Sequence, residues 1–226
     1  MEVLKQLLNA FSQVTCQYLN ARPSRKPFMH TLIIATGNAG KQREIQQMLG
    51  DAFEVKTLKD ILDAPEIIED GDTFEANAIK KARVIAHHTG LPTLADDSGL
   101  EVDALKGAPG IYSARYAGEN ATDTDNNQKL LQAIAQVPDD QLGAQFHCVM
   151  ALVHPNGQTQ TTEGIWRGRL IRQARGTNGF GYDPLFWVPQ HNCTSAELSP
   201  QQKNELSHRG QALRKILPHI LALKNH

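Results

Sequence analysis

The segment TLADDSG at residues 93–99 joins a short apolar run directly to two carboxylates, a hydroxyl and a glycine. Such a run is typical of a buried strand, and ligands of α/β folds bind outside the carboxyl ends of buried strands. A second apolar run, TLIIA at 31–35, leads into the polar loop TGNAGK at 36–41 and then into a helical pattern. We therefore expect an α/β fold in which both segments place polar groups at the end of a strand.

Two helices are predicted with both of their ends. The segment KQREIQQML at 41–49 has its apolar residues on one face, and Gly50 closes it. Asp72 stands at the capping position of a second helix, over about 73–89, which Gly90 ends. The first strand, loop and helix form the opening unit of an α/β fold.

The second half of the chain predicts a hairpin and a final helix. The run FHCVMALV at 146–153 is a buried-strand candidate, and the turn HPNG leads to a partner strand near 158–166. Ser199 and Pro200 suit the N-cap and first positions of a helix, so they predict where the last helix begins.

Composition restricts the class of protein. The 226 residues are 40% hydrophobic and 21% charged, with a net charge of −1, which argues against a broad nucleic-acid-binding surface. A nucleic acid is therefore not expected as a partner. No apolar run approaches the ~20 residues that cross a bilayer, so a membrane is not expected as a partner either. Cys16, Cys148 and Cys193 lack metal-ligand spacing, and their odd number suggests reduced thiols and a cytoplasmic location.

Residues 1–28 precede the first predicted strand, and two interpretations of them remain open. Apolar residues recur at helical spacing over 1–20, which predicts an amphipathic helix followed by the linker ARPSRKP at 21–27. Alternatively, translation starts at Met29, just before the strand. In both cases the first 28 residues are an extension, and the functional domain spans 29–226.

The loop TGNAGK resembles a nucleotide-binding P-loop but does not match one. That motif requires a glycine where Ala35 stands and a serine or threonine where Gln42 stands. A loop of small residues before a helix can still offer backbone N–H groups to an anion, and Asn38 and Lys41 would add a donor and a charge. A polar turn with a good helix cap explains the same residues equally well.

The acids of ADDSG are candidates for a metal site. On an extended backbone Asp96 and Asp97 point to opposite sides, so one of them is expected to face a given site. Carboxylate oxygens are the ligands that Mg²⁺ selects, and Glu69 or Asp70 in IIEDG could supply another. Adjacent acids in loops more often face solvent or cap a helix, and this remains the alternative.

Two further segments suit a nucleotide. In GFGYDP, Phe180 could stack on a base and Asp183 could accept from a base N–H, although core-packed aromatics in a glycine-rich turn are commoner. In SHR, His208 and Arg209 are adjacent donors, and Lys203 lies five residues earlier in what we expect to be the same helical segment. Such a His–Arg pair is more often on the surface.

In this order, the segments resemble the inosine triphosphate pyrophosphatase family. The matching segments extend over about 31–217 and are TGNAGK, TFEANA, LADDSGLEVDALKGAPGIYSARYAG, GFGYDP and KNELSHRGQAL. The resemblance implies a single elongated α/β domain with two lobes, a mixed sheet and a central substrate groove, usually as a homodimer. It also implies Mg²⁺-dependent cleavage of dITP, ITP or XTP to the monophosphate and pyrophosphate.

The family's functional residues transfer to this sequence by motif. The triphosphate would be held by Thr36, Gly37, Asn38, Ala39, Gly40 and Lys41, assisted by Asn77. Asp97 would be general base and metal ligand, Ser98 would contact substrate, and Glu69 would be the second metal ligand, with Asp70 as its competitor. The nucleotide pocket would be lined by Phe180, Gly181, Tyr182, Asp183, Lys203, His208 and Arg209.

Two other functions remain open at this point. A Maf-type pyrophosphatase would have a similar architecture but would act on pyrimidine nucleotides. A nucleotide-binding module without catalysis would explain the loop at 36–41, but it has no use for extra carboxylates without a metal.

Overall fold

The structure, a computed structural model, describes residues 30–50 and 53–223. Its seven strands are β1 Thr31–Ile34, β2 Glu54–Thr57, β3 Thr93–Val102, β4 Gly143–Val153, β5 Thr159–Leu170, β6 Phe186–Val188 and β7 Cys193–Thr194. Its α-helices are α1 Ala39–Leu49, α2 Phe74–Thr89, α3 Asp123–Ala133, α4 Pro200–Leu206 and α5 His208–Ala222. The predicted extension at 1–28 lies outside the described residues. None of the described helices is long and apolar enough to cross a membrane.

One mixed sheet, in the order β2-β1-β3-β4-β5-β6-β7, forms the frame. β1 runs parallel to β2 and β3, whereas every later pairing is antiparallel. β3, β4 and β5 are much longer than β1, so they continue past its end and carry the second lobe. The predicted α/β class and mixed sheet are confirmed.

Alternation along β1 divides the first lobe into two cores. Leu32 and Ile34 pack against α1 and α5 on one face of the sheet. Ile33 and Ala35 pack against α2 on the other face. Since successive side chains of a strand point to opposite faces, helices cover both sides of this buried strand.

A third core builds the second lobe. Leu100 and Val102, in the far half of β3, pack with Leu130 of α3 and with Phe186 of β6. The two lobes therefore share the long strands, and the space between them lies over the middle of β3.

Both predicted helices of the first half are confirmed, with shifted starts. α1 begins two residues earlier than expected, because Asn38 caps it. Thr73, not Asp72, is the N-cap of α2, since its hydroxyl accepts from the Ala76 N–H. Gly50 and Gly90 end the two helices at positive φ, as predicted.

The second half departs from the prediction in two places. Ser199 and Pro200 begin α4, which is not the last helix. Ser207 then ends α4 and caps α5, so the expectation that Lys203 shares a helical segment with the SHR residues is wrong. The predicted hairpin is confirmed, although β5 extends to Leu170.

The expectation that ADDSG ends its strand is also wrong. β3 continues to Val102, because its pairing with β4 runs on through Asp96 and Asp97. It is the neighbouring strand β1 that ends, at Ile34 opposite Leu94. The two acids therefore border the carboxyl end of β1, next to the loop at 36–41.

Two cysteines fall within the described residues, and both are free thiols: Cys148 is buried and Cys193 is half-buried. Burial raises the pKa of the Cys148 thiol to about 12. At neutral pH this thiol is therefore protonated and acts as part of the core.

Close contact between Gly164 of β5 and α5 gives a test of how the fold positions the site. A Cβ at Gly164 would lie 2.1 Å from the carbonyl oxygen of His208. We expect Gly164→Ala to lower the free energy of unfolding by about 1–3 kcal/mol in urea denaturation, the usual cost of overpacking.

Gly37→Ala is the control for stability, because a Cβ there meets nothing within 4 Å. It should change the free energy of unfolding by less than about 0.5 kcal/mol. Equal stability of the two variants would show that α5 is not held as closely as this contact implies.

Candidate active site

A cavity of about 440 Å³ lies between the lobes, over the end of β1 and the middle of β3. Its lining includes these predicted site residues: Thr36, Gly37, Asn38, Lys41, Glu69, Asp97, Ser98, Phe180, Gly181, Tyr182, Asp183, Lys203, His208 and Arg209. Three other predicted residues, Ala39, Gly40 and Asn77, do not line the cavity. The fold thus brings together most of the candidates from five separate parts of the chain.

A wider groove of about 910 Å³ lies against α2 and β5 and has the wrong charge for a phosphate ligand. Four carboxylates and a single lysine are among its lining residues: Asp72, Glu75, Glu101, Glu163 and Lys106. Phosphate oxygens would be repelled there. The smaller cavity, with its cations and its acids, is the site of interest.

The loop at 36–41 is shaped by its own hydrogen bonds. Thr36 Oγ1 accepts from the Asn38 N–H at 3.2 Å. Asn38 Oδ1 accepts from the N–H groups of Gly40 and Lys41 at 2.9 and 3.1 Å. The loop is therefore a capped helix start that also lines the cavity, where the positive end of the α1 dipole suits an anion.

Asp96 lies on the α1 and α5 side of β3 and is completely buried. Its Oδ2 is 3.2 Å from Lys41 Nζ and accepts from Arg209 Nη2 and Ser98 Oγ, both at 3.1 Å. Burial alone would raise the pKa of Asp96, but the charges of Lys41 and Arg209 outweigh it and hold the pKa well below its usual value. Asp96 therefore stays ionised and orients two cations.

Asp97 points to the opposite side, toward α2, as the extended backbone predicted. Lys81 Nζ donates to Asp97 Oδ1 at 2.9 Å and lies 3.1 Å from Glu69 Oε1. Burial raises the pKa of Asp97, the charge of Lys81 offsets part of that rise, and the Glu69 carboxylate adds to it. A carboxylate with a raised pKa is a better proton acceptor than an ordinary aspartate.

The two acids of IIEDG have different surroundings. Glu69 lines the cavity, whereas Asp70 is exposed and lies 2.5 Å from Lys80 Nζ. Glu69 is in the irregular segment 64–71, not at the end of a strand. Its carbonyl oxygen accepts from Arg115 Nη2 at 3.2 Å, so a long-range contact fixes its position. This geometry favours Glu69 over Asp70 as the second acid of the site.

Asn77 of α2 contacts both Asp97 and the segment that carries Glu69. Its Nδ2 donates to Asp97 Oδ2 at 3.3 Å, and its Oδ1 accepts from the Gly71 N–H at 2.8 Å. The segment carrying Glu69 is thereby anchored to the same amide that contacts Asp97. The role implied by the resemblance, assisting the triphosphate, stays a prediction.

Glu44 of α1 is a buried residue that sequence reasoning missed. Its carboxylate accepts from Arg209 Nη1 at 2.5 Å and lies 2.8 Å from Lys203 Nζ. Arg209 also donates to Asp96 and to Ser98 Oγ and is only 1% exposed. Its guanidinium thus links α1 to β3, and a direct contact with a base stays a prediction.

Phe180 closes one side of the cavity. Its ring contacts the loop at 36–41, since a Cβ on Gly40 would lie 2.5 Å from Phe180 Cδ1. Lys203 Nζ and Arg209 Cζ lie over the same ring, 4.8 and 5.6 Å from its centre. The ring therefore joins the loops of the two lobes, and stacking of a base on it stays a prediction.

Asp183 holds the loop at 179–184, called here the Phe180 loop, in place. Its Oδ2 accepts from Lys203 Nζ at 2.5 Å and from the Phe180 N–H at 2.9 Å, and its Oδ1 accepts from Ser195 Oγ at 2.9 Å. Because both oxygens already have partners, the carboxylate shapes the pocket. Its expected acceptance from a base N–H stays a prediction.

The two residues between Phe180 and Asp183 are fixed by the second lobe. The Gly181 N–H donates to Asp123 Oδ2 at 2.7 Å, and the Tyr182 hydroxyl donates to the Ser113 carbonyl oxygen at 2.8 Å. Tyr182 is buried, as expected of a core-packed aromatic.

His208 is buried in the cavity wall and stacks on Phe146, with ring centres 4.8 Å apart. Its Nδ1 has no hydrogen-bond partner among the described residues. Burial, together with the charge of Arg209, lowers the pKa of His208 well below its usual value. The imidazole is therefore neutral at physiological pH and can donate from one nitrogen only.

Lys81 is the second important residue that sequence reasoning missed, and a signal for it exists. It lies four residues after Asn77, on the face of α2 that carries Ala78 and Ala82 into the core. A lysine on the apolar face of a helix requires a buried acid as partner. Glu44 offered a weaker signal, since it lies beside the buried Ile45 in the middle of α1.

The Glu44 contacts predict a measurable cost of losing one charge. In Glu44→Gln the shape is kept, but Arg209 and Lys203 lose a buried partner, so we expect the free energy of unfolding to fall by about 3–5 kcal/mol in urea denaturation. Asp103→Asn, which removes one partner of the exposed pair with Arg167, should cost less than about 1 kcal/mol. Similar costs for both variants would contradict the role given to Glu44.

Comparisons with known proteins identify the family of this chain. A sequence model described as "Ham1 family" matches residues 32–219. The dITP/XTP pyrophosphatase of Vibrio cholerae is 55% identical over 195 residues, which are 85% of this chain and 97% of that protein.

Two solved structures share the fold. A HAM1 protein from Coxiella burnetii has a TM-score of 0.76 and 48% identity, covering 86% of this chain and 99% of that one. The nucleoside-triphosphatase / dITP/XTP pyrophosphatase from Mycobacterium abscessus has a TM-score of 0.68 and 42% identity, covering 83% and 99%. The resemblance inferred from the motifs is confirmed, and the chain belongs to the Ham1 family.

Proposed function

We propose that this protein hydrolyses the non-standard purine nucleoside triphosphates dITP, ITP and XTP to the monophosphate and pyrophosphate, which removes them from the nucleotide pool. One observation carries the proposal: Asp97 and Glu69 face the same cavity as Lys41, at the start of a capped helix. Acids for a metal and a proton, beside cations for phosphate, are the groups that phosphoryl chemistry requires. The names of the relatives support the choice of substrate.

Mg²⁺ is the proposed cofactor, and the donor set fits it. Among the described residues no group of three or more His, Cys, Asp or Glu side chains is arranged to hold a metal ion. Mg²⁺ is commonly bound by one or two carboxylates together with substrate phosphates, and Glu69 and Asp97 are two such carboxylates. When bound, the ion would neutralise phosphate charge and polarise the reacting groups.

The protein's own residues account for the remaining chemistry. Lys41 and the N-terminus of α1 hold the phosphates, and Asp97 accepts the proton of the attacking water. The water oxygen forms a bond to the α-phosphorus, the bond from that phosphorus to the bridging oxygen breaks, and pyrophosphate leaves intact. The raised pKa of Asp97 suits a proton acceptor, since its conjugate acid forms more readily.

Base selection depends on donors in the wall of the cavity. The proposed substrates carry a 6-oxo group where adenine carries an amine. A buried donor such as His208 or Arg209 would be left unpaired opposite that amine, and unpaired buried donors are costly. Ser98 and the Phe180 loop complete the wall.

Three further expectations belong to the same proposal. The protein acts as a cytoplasmic homodimer, which the family resemblance supports and which light scattering of the purified protein tests. The catalytic domain is 29–226, consistent with a family match over 32–219. A Maf-type pyrophosphatase is the alternative enzyme, and it would prefer dTTP and UTP.

A pyrophosphate-release panel tests the activity. With Mg²⁺ we expect dITP, ITP and XTP to be cleaved at least ~100-fold better in kcat/KM than ATP, a ratio reached when a site binds a group that its competitor lacks. Excess chelator should abolish turnover. Preference for dTTP and UTP would favour the Maf-type alternative, and binding without pyrophosphate release would favour a non-catalytic module.

Substitution of the two aspartates tests their separate roles. Asp97→Asn keeps the shape but cannot accept the proton, so kcat for ITP should fall by about 10²–10⁴. Asp96→Asn should have the smaller effect on kcat and act through KM, because Asp96 orients Lys41 and Arg209. A dead Asp96→Asn beside a near wild-type Asp97→Asn would reverse the assignment. If both variants are active, the catalytic role of ADDSG is refuted.

A further inference from the structure

Lys81 stands between the two carboxylates that the proposed function gives to Mg²⁺. Its Nζ is 2.9 Å from Asp97 Oδ1 and 3.1 Å from Glu69 Oε1. The lysine side chain is 7% exposed, so solvent screens these contacts poorly. The ammonium group therefore already offsets part of the negative charge that would attract a divalent cation.

We propose that Lys81 guards the metal-binding carboxylates in the nucleotide-free protein and releases them when a triphosphate takes over its ammonium group. This inference rests on the proposed function, since it concerns the same site. It adds an order of events: the free protein binds a divalent cation weakly, and substrate and cation bind cooperatively.

Charge repulsion is the first reason. A divalent cation ligated by Asp97 and Glu69 would lie within a few ångströms of the Lys81 ammonium, and like charges in a partly buried site repel strongly. Lys81 would have to give up both carboxylates. Asn77 would hold Asp97 in place meanwhile, because its contact uses the other carboxylate oxygen.

The supply of a new partner is the second reason. The neighbouring acid on β3, Asp96, points to the other face of the sheet, where its Oδ2 is shared between Lys41 and Arg209, so it is poorly placed to receive Lys81. Lys81 lines the same cavity as Thr36 and Lys41. A bound triphosphate places several anionic oxygens in that cavity, and they are the partner that the displaced ammonium lacks in the free protein.

Binding of Mn²⁺ provides a readout that does not depend on turnover. Mn²⁺ accepts the same oxygen ligands as Mg²⁺, and electron paramagnetic resonance measures its free concentration. After subtraction of the Mn²⁺ that the analogue chelates in a protein-free titration, wild-type protein should bind Mn²⁺ at least ~10-fold more tightly in the presence of an α,β-imido analogue of dITP than in its absence, within the usual range of coupling between sites. In Lys81→Met the nucleotide-free protein should bind Mn²⁺ at least ~10-fold more tightly than wild type does, and most of the coupling should disappear.

Lys80→Met is the matched control. Lys80 precedes Lys81 on α2 but pairs with the exposed Asp70, so its removal should leave the Mn²⁺ affinity of the free protein unchanged. The gain in Lys81→Met should vanish in the double variant Lys81→Met/Glu69→Gln, which would show that the cation binds at this pair of acids. Lys81→Gln provides a second variant if Lys81→Met does not fold by circular dichroism.

The outcomes distinguish this inference from the proposed function. If the wild type shows cooperative binding but the Lys81 variants keep wild-type Mn²⁺ affinity without nucleotide, the guarding role is overturned and the metal site stands. If the wild type binds Mn²⁺ equally well with and without the analogue, the order of events is overturned. Absence of Mn²⁺ binding even with the analogue would overturn both the inference and the metal site on which it rests.

Discussion

Two adjacent aspartates in the middle of β3 send their carboxylates to opposite faces of the sheet, and the site is organised around that divergence. Asp96 meets Lys41 and Arg209 on the side of α1 and α5, and Asp97 meets Lys81 on the side of α2. Each helix layer thus contributes a cation to the same short stretch of strand. The positions of the proposed catalytic residues follow from the pleat of one strand, because successive side chains must alternate.

Burying such a network of charges costs free energy, so we infer that its contribution is to hold the charged groups in fixed positions. Charges removed from water lose their hydration, and ion pairs in the interior often contribute little net stability compared with apolar residues of similar size. Arg209 has Glu44, Asp96 and Ser98 as partners, so its guanidinium is held in one orientation. Preorganised charges of this kind stabilise developing charge without having to reorient during the reaction.

The lysines around the cavity differ in what their ion pairs hold in place. Lys203 is held by Glu44 and Asp183, both buried, and it helps to fix the Phe180 loop. Lys41 and Lys81 both line the cavity. Lys41 pairs with the buried Asp96, and Lys81 pairs with Asp97 and Glu69. A triphosphate can compete with these carboxylates for Lys41 and Lys81 and leave the contacts that hold the Phe180 loop intact. The pocket therefore combines rigid sides with a floor whose charges can be redistributed when substrate binds.

Local sequence signals predicted much of this arrangement. Gly50 marks the end of α1, and the apolar run before ADDSG is a buried strand, because caps and hydrophobic alternation depend on neighbours only a few residues away. The ordered set of motifs indicated the family, and most of the residues carried over by it line one cavity.

The remainder depended on contacts between distant parts of the chain. The length of β3 was missed because its second half is fixed by pairing with β4, about 42–50 residues later. Choosing Glu69 over Asp70 required Arg115 to anchor an irregular segment. Lys81 and Glu44 look like ordinary helix residues until their partners are known. The sequence by itself determined which groups the protein carries and on which local elements, whereas the tertiary structure decided which charges meet, since pairing depends on distances that folding alone sets.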